Sequence, residues 1–318
     1  MNIKNPVNKN HYIPCYWTAY WNIEYLISER NNQKNKPARQ INVTYLNIRA
    51  DKILNAKTGK VFINKNQGLT FLKTERDFDK IKSNFTTHNY EKNCDTKSDL
   101  LLLDFENHFT EYENISKPAL IRTILTKKIK NIEDKTYLAQ FVILQWIRNP
   151  IVFNNRLKFI QKNGNGTKLD LLLEVRDCFV NKNKLENLII PLVFCKWTIY
   201  HTKNNIFPIT DMPIMENKNH IFVPLAPDIL LEIQLEKKTD EIISYKNKIP
   251  LLKFLKFKNR LIKNTTNELV GNSDFLKYIR EKKKITFACS TYKSFARLIQ
   301  IETKFIISFS RNGKNALS

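Results

Sequence analysis

The hydrophobic pattern of this chain changes its period twice, and these two changes constrain the fold more than any single motif. Segments 41–54 and 60–68 have the pattern of extended chain and are joined by the turn sequence NAKTGK. From residue 99 the apolar residues follow helical spacing, and after residue 195 short β-branched and aromatic runs return. Because the helices are grouped together and the strands follow them, we expect an α+β fold rather than alternating βαβ units.

The helix and strand predictions follow from this pattern and from the positions of proline. Helices are predicted over 98–129 (with Ser98 or Asp99 as N-cap and a break or kink at Pro118), 134–149, 151–162, 167–182, 187–194 and 265–284. Strands are predicted over 196–202, 206–213, 220–227 and 228–235, and extended chain over 285–290 and 303–309. The Lys-rich stretch before residue 265 receives no assignment.

These elements predict one α+β domain over residues 1–318, in which a central helical block packs against a mostly antiparallel sheet. The polar segment 75–98 has few apolar residues to anchor it, so we expect an irregular loop there. Residues 285–318 are expected to form a C-terminal extension.

The strongest global property of the chain is its net charge of +23. A positive field of this size favours polyanions such as nucleic acid. However, the positive residues are mostly Lys scattered along the chain, and abundant Lys, Asn and Ile with only 6 Gly is also the usage of an AT-rich genome. The charge therefore leaves two interpretations open, contact with nucleic acid and a bias of codon usage.

Cysteine usage and hydropathy indicate the compartment. The 5 cysteines are an odd number without C-x-x-C spacing, which argues against a disulfide framework or a zinc knuckle and favours a reducing compartment. The chain lacks the apolar core of a signal peptide, and its longest apolar runs are shorter than the ~18 residues typical of a membrane span. We therefore expect a cytoplasmic protein with no membrane partner.

The common motifs of nucleotide binding and hydrolysis are absent: there is no P-loop, G-x-G-x-x-G, G-x-S-x-G or H-E-x-x-H. Any chemistry must then come from dispersed polar residues. Glu106 and Glu113 are seven residues apart on one predicted helix, so they share a face. Arg148 ends a predicted helix, where a cation suits the helix dipole. Asp211 lies at a strand end, where a carboxylate can project into a cleft.

His11 completes this set and opens the aromatic stretch HYIPCYWTAYW. One His with the carboxylates Glu106, Glu113 and Asp211 can hold Mg²⁺ or Mn²⁺. Arg148 would then stabilise phosphoryl charge, and His11 would serve either as a ligand or as a general base.

Each of these residues also has a structural interpretation. The two glutamates fit a solvated stripe on a helix surface. Arg148 and Asp211 fit an ion pair that ties helix to sheet. His11 fits a packed ring that bonds a backbone carbonyl. The other histidines show no ligand spacing and receive no role; they are His88, His108, His201 and His220.

The same residues make the chain resemble a widespread bacterial family catalogued as domain of unknown function 4238. The opening HYIPCYW resembles its H-Y-x-P start, FENHFTEYE its paired-glutamate helix, and LQWIRNP its Q-x-x-R-x-P helix end. Later matches are IFPITDMP to its S/T-D-x-P strand end, VPLAP to its PL-S-P strand, and Asn267 to an Asn at the start of a late helix. The matched order covers about residues 10–280.

The chain departs from this family at three positions, Cys15, Thr210 and Ala226, which bear only on details of turn bonding. The resemblance implies one domain with a shared cleft in which His11, Glu113, Arg148 and Asp211 converge. It implies no reaction, because the family name records none.

Two functions are compatible with these features. The first is a metal-dependent phosphodiesterase or nuclease, as a toxin or defence effector. In it Asp211, Glu113 and Glu106 bind Mg²⁺ or Mn²⁺, His11 is base or ligand, and Arg148 and Asn267 bind substrate. The second is a non-catalytic module that binds nucleic acid, a nucleotide or a protein, with the polar residues as a structural network.

Overall fold

The computed structural model describes residues 9–65, 69–72, 90–93, 100–104, 106–164, 166–168, 170–172, 174–175, 182–217, 219–238, 243–265 and 267–288. The chain divides into two compact units, each assembled from three segments. We call Met1–Tyr12, Ile63–Leu120 and Glu133–Val193 the helical unit, and Ile13–Phe62, Ile121–Ile132 and Phe194–Ser318 the sheet unit.

The helices, in chain order, are α1 (Cys15–Thr18), α2 (Ile23–Arg30), α3 (Glu106–Thr126), α4 (Ile132–Arg148), α5 (Pro150–Gly164), α6 (Lys182–Val193), α7 (Leu251–Asn264) and α8 (Ser273–Ala288). The strands are β1 (Lys9–His11), β2 (Asn42–Asn47), β3 (Lys52–Lys57), β4 (Ile63–Lys65), β5 (Leu69–Leu72), β6 (Tyr90–Asn93), β7 (Leu100–Asp104), β8 (Cys195–His201), β9 (Ile209–Thr210), β10 (Met215–Asn217), β11 (His220–Ala226), β12 (Ile229–Lys238), β13 (Ser244–Lys246) and β14 (Glu268–Val270). Short 3₁₀ helices lie at Ala19–Trp21, Ala38–Gln40 and Thr58–Lys60.

The sheet unit is built on two sheets. One has the strand order β10-β11-β12-β8-β13, antiparallel except for the parallel pair β13 and β8. The other has the order β3-β2-β14-β9. A core of aromatic and aliphatic side chains joins strand residues such as Tyr200, Phe222 and Leu230 to Phe254 and Phe257 of α7. This buried contact explains α7: its apolar residues recur every three or four positions, which places them on one face.

The aromatic opening of the chain packs inside the sheet unit, as expected. Trp17 and Trp21 are buried, with ring centroids 6.3 Å apart in an edge-on arrangement. Their indole N–H groups donate to the carbonyl oxygens of Leu225 at 3.0 Å and Phe207 at 2.8 Å. Both rings thus bury apolar area while their polar atoms stay satisfied.

A second feature of the sheet unit is a charged clamp around the buried carboxylate of Asp228. Arg30 donates to both of its oxygens, at 2.9 and 3.0 Å, and Lys127 Nζ lies 2.8 Å from Oδ2. Arg30 also donates to the carbonyl oxygen of Ile124 at 3.1 Å. The clamp therefore holds α2, the segment 121–132 and the turn before β12 together.

The helical unit combines α3 up to Leu120, α4 from Glu133, α5 and α6 with the small sheets β1-β4 and β5-β7-β6. Apolar residues of α4 form its buried face, including Leu138, Phe141 and Leu144. Gln140 Nε2 donates to Ser116 Oγ at 2.9 Å and so ties α4 to α3 through a satisfied buried polar contact.

The α+β class is confirmed, and the predicted helices 134–149, 151–162 and 187–194 correspond to α4, α5 and α6. Half of segment 167–182 lies outside the described residues, and most of the residues that are described there are helical. Among the residues that the structure describes, no helix is both long enough and apolar enough to cross a membrane.

Several predicted boundaries were wrong. The first predicted helix began too early, because the run Leu100–Asp104 is strand β7 and α3 starts at Glu106. A continuous apolar run has no period, so it fits a buried strand as well as a helix. Helix α3 also continues through Pro118. The predicted irregular loop 75–98 contains β6, Tyr90–Asn93, and its remaining residues lie outside the described ones.

The hairpin and the late helix also differ from the predictions. The chain reverses between β2 and β3, within the predicted strand 41–54, and NAKTGK ends β3 and forms a 3₁₀ turn. The predicted helix 265–284 begins with β14, because Glu268–Val270 pair with β2 and β9, and helix starts only at Ser273. Helix α8 then extends to Ala288, so residues 285–288 are not extended chain. The rest of the predicted extension 285–318 lies outside the described residues.

Candidate functional site

The predicted site residues fall in both units. His11, Glu113 and Arg148 belong to the helical unit, and Asp211 and Asn267 belong to the sheet unit. Glu106 is the first residue of α3, and its side chain lies outside the described ones.

Glu113 and Arg148 form an ion pair in the helical unit. Arg148 Nη1 donates to Glu113 Oε2 at 3.0 Å, and the side chains are only 8% and 13% exposed. Arg148 is the last residue of α4, where its charge also interacts favourably with the helix dipole. Removing one partner of an ion pair that is this buried strongly destabilises a protein, because the other charge is left buried without a partner. The predicted pair of Arg148 with Asp211 stays a prediction.

His11 ends strand β1, where it lies opposite Ile63 of β4 in an antiparallel ladder. His11 is partly exposed to solvent. The following Pro14 starts α1, since its carbonyl oxygen accepts from the N–H groups of Trp17 and Thr18 at 3.1 and 3.0 Å. A strand and a proline-started helix thus flank His11, which restricts the backbone that carries its ring.

Asp211 is buried and directly follows the end of β9, as the sequence predicted. Thr210 Oγ1 donates to Asp211 Oδ1 at 2.8 Å, and the backbone N–H of Asn267 donates to Oδ2 at 2.6 Å. The structure therefore brings Asp211 and Asn267 together through the backbone N–H of Asn267.

Glu268 is a neighbour of Asp211 that the sequence did not reveal. Strands β14 and β9 pair Leu269 with Thr210, so Glu268 lies opposite Asp211 at the next position, and Asp211 N donates to Glu268 O at 3.1 Å. Burial, and next the negative charge of Asp211, raise the pKa of Glu268 above its usual value of 4.5. A hydrogen bond lowers this pKa and so partly opposes the rise: the backbone N–H of Phe62 donates to Glu268 Oε2 at 2.6 Å.

Phe62 holds this hydrogen bond with an unusual backbone. Its φ is 56°, in the left-handed region that bulky residues rarely adopt, and its ring is fully buried. Such conformations persist only where the surrounding structure imposes them, and they cluster at functional sites. The strained residue thus directs its N–H at one of two facing carboxylates.

The metal-binding prediction concerns carboxylates in both units. Within the part of the chain that the structure describes, no group of three or more His, Cys, Asp or Glu side chains is arranged to hold a metal ion. Asp211 and Glu268 provide two facing carboxylates, and carboxylate oxygens are the ligands that Mg²⁺ and Mn²⁺ prefer. The predicted set of Glu106, Glu113 and Asp211 stays a prediction.

Comparisons of this chain with protein-family models, with curated proteins and with solved structures each gave no match. Membership of the family that the motifs resemble therefore stays a prediction.

Proposed function

We propose that the protein is a metal-dependent phosphodiesterase that acts on nucleic acid, with Asp211 and Glu268 as its central carboxylates. The observation that carries this proposal is their placement opposite each other on adjacent antiparallel strands. Like charges directly opposite each other destabilise a sheet, and burial increases that cost. A bound cation, or a proton kept on one carboxyl group, offsets this repulsion. Both are useful in phosphoryl transfer, where a cation stabilises phosphate charge and a carboxyl proton can be exchanged with the reacting oxygen.

The two carboxylates have different environments, which suits different roles. Both oxygens of Asp211 accept hydrogen bonds, so its orientation is fixed. Glu268 has a raised pKa and one oxygen held by Phe62, so it can carry a proton closer to neutral pH than an ordinary glutamate can. A divalent cation bound by this pair would polarise a phosphate and lower the pKa of an attacking water. Asp211 would orient the cation, and Glu268 would exchange a proton with the reacting oxygen.

The charge of the chain supports a polyanionic substrate. A net charge of +23 attracts phosphate backbones, and α7 exposes the lysines Lys256 and Lys263. His11 as base and Arg148 as phosphate-binding residue enter the proposal on the sequence alone. The cytoplasmic location follows from cysteine usage and hydropathy, and a role as a toxin or defence effector is part of the proposal.

The first test measures cleavage of labelled RNA and DNA with Mg²⁺ or Mn²⁺. Asp211→Asn and Glu268→Gln should each lower the cleavage rate by about 100-fold or more, because each removes a charged oxygen from the reacting centre. Asp274→Asn is the matched control, since this carboxylate on α8 is 89% exposed, and it should cleave at the wild-type rate. Unchanged cleavage in Asp211→Asn would refute the site.

The second test is the stability of Glu268→Gln as a function of pH. Because the folded-state pKa of Glu268 is raised, its favourable contribution is complete below about 4.5 and is lost as the pH rises through the folded value. Glutamine does not ionise, so its contribution to stability does not change with pH, and its side-chain oxygen can still accept the hydrogen bond from the Phe62 N–H. The variant should therefore exceed wild type by about 0.2–1 kcal/mol at pH 8 and match it at pH 4. Urea unfolding at both pH values measures this, and a variant less stable than wild type at pH 8 would indicate a structural glutamate.

The rival function is a non-catalytic module that binds nucleic acid. The observation in its favour is that Asp211 and the Glu113–Arg148 pair are already bonded within the protein, as expected of polar networks that fix a fold. Binding that weakens steeply with salt, without cleavage under any metal condition, would support the rival.

A further inference from the structure

A second polar cluster lies in the sheet unit, around Glu232 at the centre of β12. Glu232 is 0% exposed and has three charged or polar partners. Lys253 Nζ lies 2.8 Å from Oε1 and 2.5 Å from Oε2, the hydroxyl of Tyr200 donates to Oε2 at 2.6 Å, and His220 Nδ1 lies 2.8 Å from Oε1. A fully buried carboxylate is thus bonded on both oxygens.

Strand register explains why these groups meet. Glu232 pairs with Phe222 on β11 and with Thr198 on β8, so His220 and Tyr200 lie two residues away on the same face of the sheet. Lys253 reaches this face from the first turn of α7. Burial alone would raise the pKa of Glu232, but hydrogen bonds from Lys253 and Tyr200 and the nearby charges hold it below its usual range. The carboxylate therefore remains ionised at neutral pH.

Two members of the cluster reach solvent. The side chains of His220 and Lys253 are each 29% exposed, whereas Tyr200 is fully buried. The His220 ring stacks on Phe222, with centroids 6.1 Å apart and planes 10° apart. Packing and the carboxylate together place Nδ1 towards Glu232 and leave Nε2 as the basic nitrogen. The ring N–H is not yet aligned with the carboxylate oxygen, and catalytic hydrogen bonds of this kind tighten when substrate binds.

This arrangement has a base and a cation but supplies no nucleophile of its own. Of the described residues that contact the Glu232 carboxylate, none is a serine or cysteine. Thr198 faces it across the strands but is buried. A base and a cation in this arrangement suit a substrate that carries its own nucleophile beside the bond that breaks. RNA does so, because each ribose 2′-hydroxyl lies next to a phosphodiester.

We propose that His220 and Lys253 form a catalytic centre for metal-independent RNA cleavage, with Glu232 as the residue that positions them. His220 Nε2 takes the proton of the 2′-hydroxyl as the 2′-oxygen bonds to phosphorus. The phosphorus–5′-oxygen bond breaks, and the leaving oxygen takes a proton from water. The hydroxide so formed removes the proton from His220. The products are a 2′,3′-cyclic phosphate and a 5′-hydroxyl.

Lys253 and Glu232 have distinct parts in this step. Two N–H groups of the ammonium face the Glu232 oxygens, which leaves the third to bind a non-bridging phosphate oxygen as negative charge builds on it. Glu232 stabilises the imidazolium that forms on His220, as the carboxylate does in other carboxylate–histidine pairs. This centre uses none of the residues of the proposed metal site.

The experiment uses the full chain in excess EDTA, with an oligonucleotide that contains one ribonucleotide within DNA. Wild type should cleave only after the ribonucleotide and leave a cyclic phosphate, identified by mass spectrometry. His220→Gln should lower the rate by about 100-fold or more, the usual contribution of a general base, and Lys253→Gln should lower it by at least about tenfold. Lys277→Gln is the matched control, because this lysine on α8 has a side chain that is 64% exposed, and it should retain the wild-type rate.

The outcomes separate this centre from the proposed metal site. Failure to cleave in EDTA, equal cleavage by His220→Gln, or cleavage of the all-DNA oligonucleotide in EDTA would each overturn it. If wild type cleaves in EDTA and added Mg²⁺ brings no further cleavage, only the metal-site proposal is overturned. Glu232→Gln tests positioning, because loss of the anion should move the acidic limb of the pH–rate profile, where the general base becomes protonated, to lower pH, which a structural role would not do.

Discussion

Replacing Phe257 by alanine is expected to lower the free energy of unfolding of the protein by about 3–5 kcal/mol, the usual loss for a fully buried phenylalanine. Phe257 is 0% exposed on α7, and its ring lies 5.6 Å from that of Phe207, 6.2 Å from Phe222 and 6.3 Å from Phe254. Its removal leaves a cavity among aromatic rings that cannot collapse without moving the helix. It also removes part of the contact that holds α7 on the sheet.

Urea unfolding followed by tryptophan fluorescence measures this change. Three of the 4 tryptophans, Trp17, Trp21 and Trp197, lie buried in the sheet unit, so the signal reports mainly on that unit. Leu252→Ala is the control on the same helix, because Leu252 is 66% exposed, and its effect should stay within about 0.5 kcal/mol. A loss below about 1 kcal/mol in Phe257→Ala would contradict the packing of α7 described above.

Replacing Asp228 by asparagine should cost about 2–3 kcal/mol at pH 7, somewhat below the loss typical of a broken buried pair. The carboxylate is buried, but the side chains of Arg30 and Lys127 reach solvent and recover part of their hydration. The variant keeps the shape of the side chain and removes its charge, so the measured loss reports electrostatics rather than packing. Asp274→Asn, which breaks an exposed pair with Lys277, should change stability by less than about 0.5 kcal/mol.

The pH dependence of the same variant gives a second measure. Burial would raise the pKa of Asp228, but the hydrogen bonds and charges of Arg30 and Lys127 hold it below its usual 3.8. A lowered folded-state pKa contributes stability above 3.8, and that contribution is lost as the pH falls through the folded value. The difference between wild type and Asp228→Asn should therefore be constant above pH 5 and shrink in more acidic solution. A difference that persists undiminished into strong acid would exclude this clamp as its source.

Local pattern predicted the parts of the fold that local physics determines. Helix α4 has a regular apolar face and ends before Pro150, and both signals are visible in the sequence. The amphipathic helix α7 went unassigned because it was grouped with the Lys-rich stretch before residue 265, although its apolar spacing is helical. Strand β7 was assigned to a helix because four consecutive leucines carry no period. The short strands β9 and β14 are determined by each other and by β2, which no local window contains.

The residues of the candidate sites also divide into those visible in a local stretch of sequence and those placed by pairing between distant strands. Asp211 was identified because a strand-end aspartate before a proline turn is a local signal. Glu268 was missed because only the register of β9 and β14 places it opposite Asp211. His220 was set aside for want of a second ligand at a regular spacing, yet its partner Glu232 lies on the neighbouring strand. In both cases the partner is fixed by strand pairing, and the one local hint for Glu232 was a charge within the apolar run 229–233.

The interleaved segments of the two units also determine how the chain must fold during synthesis. The ribosome releases the β2–β3 hairpin long before β14, the strand that completes its sheet, and two of the three segments of the helical unit emerge in between. The free edge of β2 therefore stays unpaired until β14 has been synthesised. Pairing of β14 with β2 then joins residues that are distant along the chain, and such long-range contacts slow folding. Nascent chains arrested before β14 should depend on chaperones, since they expose an edge that pairs readily with other chains.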